Sequence, residues 1–219
     1  MIRAVLFDLD GTLADTAQDL ASALNRLRAE HRMAPLAPEL TRALASSGAR
    51  GLLKVGFDLD PNDERYPPMR DRFLDLYEQA LCVHTQLYEG MAELLGELER
   101  RALAWGIVTN KPRRFTDPLV RELRLHARAA CVVSGDTTSK PKPAPDPLLH
   151  AAGVMRIAPQ ACLSSPTYRH AGDCGRLGLS RRGGGPGELG RRCGARAPGR
   201  SARFPRLSAW IRPRDPHMG

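Results

Sequence analysis

The chain opens with a short apolar run, residues 3–7, that stops at an acidic pair, Asp8 and Asp10. Apolar runs of this length that end in a polar turn are typical of buried strands in parallel sheets. We therefore predict a first strand that places Asp8 at its carboxyl end, with Asp10 two residues further along.

A helical periodicity follows this strand. Apolar positions recur on one helical face over 17–31, more weakly over 39–57, and again over 68–82. Prolines separate these stretches, and prolines interrupt helices because they lack the backbone N–H. Residues 15–85 are therefore predicted to form an all-helical segment inserted after the first strand.

From residue 86 the pattern alternates between strand and helix. The predicted helices and strands are, in chain order, 91–101, 103–108, 113–123, 129–133, 145–154 and a strand that starts at 161. Such alternation is typical of parallel sheets with helices on both faces. The fold class that we predict is α/β, a doubly wound Rossmann-like parallel sheet built from 1–14 and 86–163 with an inserted all-helical cap, 15–85. Ligands of such sheets bind at the carboxyl ends of the strands.

The composition changes at residue 164. Residues 164–219 contain twelve arginines, no lysine and three acidic residues, together with eleven of the 20 glycines. The net charge of +9 comes from this tail, because the rest of the chain carries 21 basic and 21 acidic side chains. We expect an irregular or disordered Arg/Gly/Pro-rich tail. With few aromatic residues among the arginines and no recognisable motif, it does not indicate nucleic-acid binding.

Asp8 and Asp10 are the candidates for covalent chemistry. A carboxylate can attack phosphorus and form an acyl phosphate, which divides hydrolysis into two steps. A second carboxyl group beside it can protonate the leaving oxygen and then activate water. Two carboxylates facing a phosphate would repel it, and a Mg²⁺ that bridges carboxylate and phosphate oxygens removes that repulsion.

The string FDLDGTL at 7–13 resembles the first motif of the haloacid-dehalogenase-like hydrolase superfamily. Within it, the chain resembles the phosphoglycolate-phosphatase-type group, which has a helical cap inserted after the first strand. The resemblance runs from about residue 3 to residue 163. It implies that Asp8 is the nucleophile and Asp10 the general acid and base. It also implies that the Asp8 side chain and the Asp10 backbone carbonyl bind Mg²⁺.

The second motif of the family is a hydroxyl residue that ends the next core strand. Thr109, in the string IVTNKP, matches it. A hydroxyl and adjacent backbone N–H groups can hold the oxygens of a transferring phosphoryl group. The resemblance also implies substrate binding by Asn110 and, within the first motif, by Gly11 and Thr12.

The third motif is a lysine near the start of a helix. The string SKPKPAPDPLL at 139–149 matches it, with Lys142 in register and Lys140 as the alternate. A fixed ammonium group there would neutralise the charges of Asp8 and the phosphate together.

The fourth motif, an acidic Gly-Asp segment that completes the metal site, has no counterpart after the strand that starts at 161. Asp173 follows no apolar run, and we expect it not to bind metal. A GC-rich gene read out of frame would produce the Arg-, Gly- and Pro-rich tail, so a frameshift after residue 163 is our hypothesis. Without the fourth acid, we expect weaker Mg²⁺ binding and an impaired chain.

The loop SSGARG resembles the group's substrate-specificity loop, so Ser47, Gly48 and Arg50 are candidate substrate contacts. Arg50 suits a substrate carboxylate or sugar, because a guanidinium can donate two parallel hydrogen bonds. This loop, together with VHTQLYEGM at 83–91 and WGIVTNKP at 105–112, also resembles bacterial N-acetylmuramic acid 6-phosphate phosphatases.

The expected function is Mg²⁺-dependent hydrolysis of a small anionic phosphomonoester through an aspartyl phosphate. Phosphoglycolate is the first expected substrate and N-acetylmuramic acid 6-phosphate the alternative. A β-phosphoglucomutase-like phosphomutase, which shares the nucleophile, is a further alternative. No apolar run is long enough to cross a membrane, and the amino terminus does not resemble a signal peptide. We therefore expect a cytoplasmic protein. We also expect it to be a monomer or homodimer whose partner is a small phosphorylated metabolite.

Overall fold

The computed structural model describes residues 1–37, 40–41 and 48–164. Its strands are β1 (Ala4–Phe7), β2 (Ala14–Asp15), β3 (Gln86–Leu87), β4 (Ala104–Val108), β5 (Cys131–Val133) and β6 (Cys162–Ser164). Its helices are α1 (Ala17–Glu30), α2 (Gly48–Phe57), α3 (Tyr66–Glu78), α4 (Met91–Arg100), α5 (Arg113–Glu122) and α6 (Asp146–Met155), with a 3₁₀ turn at Pro159–Ala161. Within the described residues, none of the helices has the length and apolar character needed to span a membrane.

The main sheet is parallel, with the strand order β5-β4-β1-β6. In β1, Leu6 pairs with Gly106 of β4 on one side and with Ser164 of β6 on the other. The chain moves outward from β1 to β4 and β5, then returns to the far side of β1 for β6. Ligands of doubly wound sheets bind where the strand order reverses in this way. The predicted α/β class and doubly wound sheet are confirmed.

The side chains of β1 alternate between two layers of helices. Val5 and Phe7 pack with buried leucines of α4 and α5 on one face of the sheet. Ala4 and Leu6 pack with Leu148 of α6 on the opposite face. A strand covered on both faces reads as a continuous apolar run, and this explains why β1 shows no polar alternation before Asp8.

Helices α1, α2 and α3 pack around a separate cluster of buried side chains. Its members include Leu20, Leu24, Leu27, Leu52, Leu53, Phe73, Leu76 and Tyr77, together with Phe115 of α5. The apolar faces read from 17–31 and 68–82 correspond to α1 and α3. Through Phe115, this helical layer contacts a helix that covers the sheet.

A short antiparallel ribbon joins the two places where the chain enters and leaves this helical layer. Ala14 of β2 pairs with Leu87 of β3, and Asp15 pairs with Gln86. The ribbon lies at the boundaries that the sequence predicts for the helical segment. The sequence does not predict this ribbon, because two residues in each strand are too few to show a period.

A buried carboxylate reinforces the same junction. Asp19, in the first turn of α1, accepts hydrogen bonds from the backbone N–H groups of His84 at 2.9 Å and Thr85 at 3.0 Å. The Thr85 hydroxyl donates to the same carboxylate at 2.7 Å. Asp19 is 2% exposed, so these donors satisfy a charged group that has almost no access to water.

Some predictions fall outside the described part of the chain or need adjustment. Ser47 and residues 165–219 lie outside it, so the tail, its frameshift origin and the reading of Asp173 stay predictions. The weak helical stretch at 39–57 is described from residue 48 onwards, as α2. The third core strand begins two residues later than predicted, because the N–H of Ala129 is used in a turn, where it bonds to the carbonyl of Leu125 at 2.9 Å.

Candidate active site

The segment after β1 folds into a tight turn around one carbonyl group. The carbonyl of Leu9 accepts hydrogen bonds from the backbone N–H groups of residues 12–14, at 3.3, 3.0 and 3.0 Å. Gly11 has a φ of 73°, a left-handed conformation that glycine adopts without strain. Leu9 is fully buried and anchors the turn in the core. The turn thus holds Asp8 and Asp10 at the carboxyl end of β1.

Asp8 is paired with Lys142. Lys142 Nζ lies 2.9 Å from Asp8 Oδ1, with the two side chains 11% and 23% exposed, respectively. The same ammonium group donates a hydrogen bond to the carbonyl of Val108 at 2.8 Å. Of the two lysines that the third motif offers, Lys142 is therefore the one beside the expected nucleophile, while Lys140 is exposed. Partial burial strengthens this attraction relative to that of a surface ion pair.

Asn110 holds the loop that carries Lys142. Its side-chain Nδ2 donates to the Lys142 carbonyl at 2.9 Å, and its Oδ1 accepts from the Lys142 N–H at 2.8 Å. The resemblance implies a substrate contact for Asn110, whereas in the structure its amide joins the end of β4 to the lysine loop. This reciprocal pair of bonds fixes the backbone from which Lys142 reaches Asp8.

Asp10 is paired with a different lysine, Lys111. Lys111 Nζ lies 2.9 Å from Asp10 Oδ1, and the Thr16 hydroxyl donates to the same oxygen at 2.6 Å. The Lys111 side chain is only 6% exposed. The sequence motifs assign no role to Lys111. The signal in the sequence was its position two residues after Thr109, at the same edge of the sheet as the acidic pair.

An aromatic ring from α3 covers the Lys111 ammonium group. Lys111 Nζ lies 4.7 Å from the centroid of the Tyr77 ring, a cation–π contact. Burial by itself lowers the pKa of Lys111, but the charge of Asp10 and the contacts with Tyr77 outweigh burial, so the pKa lies above its usual value. Burial raises the pKa of Tyr77 to about 12, against the opposing effect of the Lys111 charge. Lys111 is therefore charged and Tyr77 neutral at physiological pH.

Thr109 is buried at the end of β4, with 2% of its surface exposed. Its N–H donates to the carbonyl of Val133 at 2.9 Å, and its Oγ1 accepts from the N–H of Lys111 at 3.2 Å. In the described part of the chain, no protein atom accepts the hydroxyl hydrogen of Thr109. A hydroxyl can rotate about its C–O bond, so that hydrogen can bond to a ligand oxygen that comes within reach of the end of β4.

Gly135 lets the loop after β5 approach this strand end. A Cβ atom at Gly135 would clash with the backbone carbonyl group of Asn110, so any side chain there would force the backbone to shift. The N–H of Gly135 donates to the carbonyl of Lys111 at 2.8 Å. This close approach fixes the backbone of 109–111, on which Thr109 and Lys111 are carried.

The acidic pair also supplies oxygen atoms of the kind that Mg²⁺ prefers. The Asp8 carboxylate is partly exposed, and no backbone N–H of the described residues bonds to the Asp10 carbonyl. Those residues contain no group of three or more acidic, histidine or cysteine side chains that could hold a metal. Mg²⁺ usually binds one or two carboxylates and keeps several waters, so Asp8 and the Asp10 carbonyl fit part of its coordination shell.

The remaining predicted contacts lie in the turn after β1 and in α2. The N–H groups of Gly11 and Thr12 are bonded within the turn, to the carbonyls of Ala14 and Leu9. Gly48 begins α2 with a φ of 62°, and Arg50 is exposed on that helix. Within the described residues, no hydrogen bond or ion pair joins Gly48 or Arg50 to the acidic pair.

The site therefore presents two carboxylates, each with its own lysine, at one edge of a parallel sheet. Asp8 has an ammonium group beside it and access to solvent, so it can meet an anionic electrophile without net repulsion. The free hydroxyl hydrogen of Thr109 can bond to an oxygen of that electrophile. The arrangement suits the transfer of a phosphoryl group to a carboxylate.

Comparison with known proteins agrees with this chemistry. A family model described as haloacid dehalogenase-like hydrolase matches residues 5–163. An N-acetylmuramic acid 6-phosphate phosphatase of Pseudomonas putida is 40% identical over 162 residues, which cover 74% of this chain and 73% of that protein. A phosphoglycolate phosphatase of Xanthomonas campestris pv. campestris is 37% identical over 164 residues, covering 74% and 72%.

Among solved structures, one described as a predicted phosphoglycolate phosphatase from Haemophilus somnus 129PT has a TM-score of 0.65 at 23% identity, and the match covers 74% of this chain and 76% of that one. At this identity the likeness shows the fold alone. The family match over 5–163 agrees with the extent expected from the motifs. This chain therefore belongs to the haloacid dehalogenase-like hydrolase family and falls among its phosphatases.

Proposed function

We propose that this chain hydrolyses small anionic phosphomonoesters, with Mg²⁺, through an aspartyl-phosphate intermediate on Asp8. The observation that carries the proposal is the ion pair of 2.9 Å between Asp8 and Lys142 at the carboxyl end of β1, with Asp10 two residues away. An isolated carboxylate would repel a phosphate dianion, whereas this pair carries no net charge. Asp8 is therefore able to approach phosphorus.

The reaction has two steps. Asp8 attacks phosphorus and forms a new O–P bond as the ester P–O bond breaks, and Asp10 gives its proton to the departing alcohol oxygen. A water molecule then attacks the phosphorus of the aspartyl phosphate and gives a proton to Asp10. Inorganic phosphate leaves, Asp8 is regenerated, and one water has been consumed.

The phosphoryl oxygens need partners while phosphorus changes its bonds. Lys142 supplies a positive charge beside Asp8, and Thr109 supplies a hydroxyl hydrogen from the end of β4. When bound by Asp8 and the Asp10 carbonyl, Mg²⁺ neutralises charge on the phosphate. Lys142, Thr109 and Mg²⁺ would thus contact the phosphoryl oxygens at the carboxyl ends of the strands.

Two substrates are candidates, and both are alkyl phosphates that carry a carboxylate. The sequence motifs favour phosphoglycolate first. Relatives named N-acetylmuramic acid 6-phosphate phosphatase are 40% and 38% identical to this chain, and relatives named phosphoglycolate phosphatase are up to 39% identical, so sequence identity does not separate the two. We therefore propose phosphoglycolate as the first substrate and N-acetylmuramic acid 6-phosphate as the alternative. We also propose that α1–α3 form a cap over the acidic pair and that Arg50 of α2 contacts the substrate carboxylate.

Phosphate release from both substrates, measured over a Mg²⁺ titration, tests the proposal. Asp8→Asn is expected to lower turnover at least about a thousandfold, because the amide is a poor nucleophile. Asp58→Asn is the matched control, since Asp58 is an aspartate with its side chain 88% exposed. Undiminished hydrolysis by Asp8→Asn would refute the mechanism. Turnover that required a sugar bisphosphate primer would indicate a phosphomutase instead.

The tail bears on how well this chain binds Mg²⁺. The family match ends at residue 163, before the expected position of the fourth acidic motif. We propose that 164–219 come from a shifted reading frame and that the chain needs more Mg²⁺ than its relatives. The sequence of the gene region tests this, since an uninterrupted frame shared by close relatives through residue 219 would contradict it.

A further inference from the structure

The two oxygens of the Asp10 carboxylate have different surroundings. Oδ1 receives two donors, the Thr16 hydroxyl at 2.6 Å and the Lys111 ammonium at 2.9 Å. No hydrogen bond from the described residues reaches Oδ2. The Asp10 side chain is 17% exposed, so the carboxylate is not sealed off from the site. Oδ1 is thus held by two donors, whereas Oδ2 can still exchange a proton with the substrate or with water.

The protein holds Lys111 in place by its backbone as well as by its side chain. The N–H of Lys111 bonds to Thr109 Oγ1, and its carbonyl accepts from the Gly135 N–H at 2.8 Å and from the Thr116 hydroxyl at 3.0 Å. The ring of Tyr77 covers the ammonium group. A long lysine side chain ordinarily loses much rotamer freedom on pairing, and here burial and packing have already removed that freedom.

We propose that Lys111 is a positioning residue which, together with Thr16, holds Oδ1 of Asp10 and thereby directs the catalytic proton to Oδ2. The proposal rests on the function of Asp10 proposed above. The proton passes from Oδ2 to the alcohol oxygen as the ester bond breaks, and Oδ2 takes a proton from water in the second step. Lys111 keeps its three protons throughout.

The orientation follows from hydrogen-bond capacity. A carboxyl group that carries a proton on one oxygen keeps the other as an acceptor. Two donors already point at Oδ1, so a proton on Oδ1 would face an ammonium group and a hydroxyl hydrogen. The protonated form that keeps both bonds has its proton on Oδ2. General acid catalysis depends on this geometry, because the proton must point at the leaving oxygen.

A dependence on the leaving group separates this role from a purely structural one. Alkyl phosphates such as phosphoglycolate release a basic oxygen that needs a proton, whereas p-nitrophenyl phosphate releases a weakly basic phenolate that does not. The ratio kcat/KM reports the steps up to release of the alcohol, in which Asp10 acts as the acid. An acid that is misdirected therefore lowers kcat/KM for the alkyl phosphate and largely spares the aryl phosphate.

The experiment measures kcat/KM of Lys111→Met with both phosphates. We expect a loss of about 10- to 100-fold for phosphoglycolate or N-acetylmuramic acid 6-phosphate, and of less than about threefold for p-nitrophenyl phosphate. Lys111→Arg, which keeps a cationic donor, is expected to recover part of the loss. In an Asp10→Asn background, Lys111→Met is expected to add little, because the two side chains act as a unit.

Two further variants keep the test decisive. Thr16→Val removes the other donor to Oδ1, so it must show the same dependence on the leaving group, even if Lys111→Met does not fold. Arg128→Met is the matched control, because Arg128 forms an ion pair of 3.0 Å with Glu99 and lies over the ring of Trp105, away from the acidic pair. The melting temperature of each variant shows whether it is folded.

Three results would overturn the proposal. They are equal losses for alkyl and aryl phosphates, a rise in KM at unchanged kcat, and full activity in both Lys111→Met and Thr16→Val. Failure of the proposed function would look different, since the unmodified chain would then hydrolyse none of these esters, or Asp8→Asn would retain activity.

Discussion

The clearest stability prediction concerns Asp19, whose carboxylate joins α1 to the segment that leaves the helical layer. Replacing Asp19 with alanine removes the acceptor of three donors, the N–H groups of His84 and Thr85 and the Thr85 hydroxyl. Thr85 is 9% exposed, so its two donors have little access to water, whereas His84 is exposed and its N–H can bond to solvent.

The magnitude follows from these three donors. A buried donor left without an acceptor costs about 1–3 kcal/mol, and a bond exchanged for water costs about 1 kcal/mol. The rotatable Thr85 hydroxyl can recover part of its loss. We therefore expect Asp19→Ala to lower the free energy of unfolding by about 3–5 kcal/mol, and Thr85→Val, which removes one donor, by about 1 kcal/mol. Asp19→Asn, which keeps one acceptor oxygen, should lie between them.

Urea unfolding at neutral pH, followed by circular dichroism, measures these differences. Asp71→Ala is the control, because the Asp71 side chain is 67% exposed in a surface ion pair and should change stability by less than about 0.5 kcal/mol. A loss of under about 1 kcal/mol for Asp19→Ala would refute the view that Asp19 satisfies buried donors. So would a loss no larger than that of Thr85→Val.

Further predictions concern the lysine loop, a close backbone approach and alkaline pH. Lys142→Met should lower kcat/KM about 100-fold, whereas Lys140→Met should leave kcat/KM unchanged. Equal losses of kcat/KM in the two variants would contradict a catalytic role for the ion pair of Lys142 with Asp8. Gly135→Ala should cost about 1–3 kcal/mol in urea unfolding, whereas Gly153→Ala, in α6 with open space around it, should not destabilise. The raised pKa of Tyr77, from 10.0 to about 12, favours the neutral hydroxyl in the folded state, so its contribution to stability is complete below pH 10 and is lost as pH rises towards 12. Tyr77→Phe should therefore change the free energy of unfolding little at pH 7, since the Tyr77 hydroxyl has no hydrogen-bond partner among the described residues. Between pH 10 and 12 this variant should lose less stability than the unmodified chain. Equal losses of stability in the two proteins would contradict this.

The local pattern was enough to predict the elements of the sheet and of the helical layer. The helical period over 17–31 and the apolar run before Asp8 correspond to α1 and β1, because both depend on which positions face a core. The β2-β3 ribbon was missed, since its pairing of Ala14 with Leu87 joins distant residues and leaves no periodic trace. The structural role of the Asp19 carboxylate was not predicted either, because its partners are 65 and 66 residues away in the chain.

By itself, the sequence determined that two carboxylates lie together at the end of β1, because Asp8 and Asp10 are neighbours in the chain and the turn between them is local. Only the tertiary structure decided which lysine serves which carboxylate. Lys142 reaches Asp8 because the Asn110 amide holds its loop against the end of β4. Lys111 reaches Asp10 across 101 residues of chain, because parallel strands bring their carboxyl ends to one edge of the sheet. Such pairings depend on where backbones converge in space, and no spacing along the chain records that.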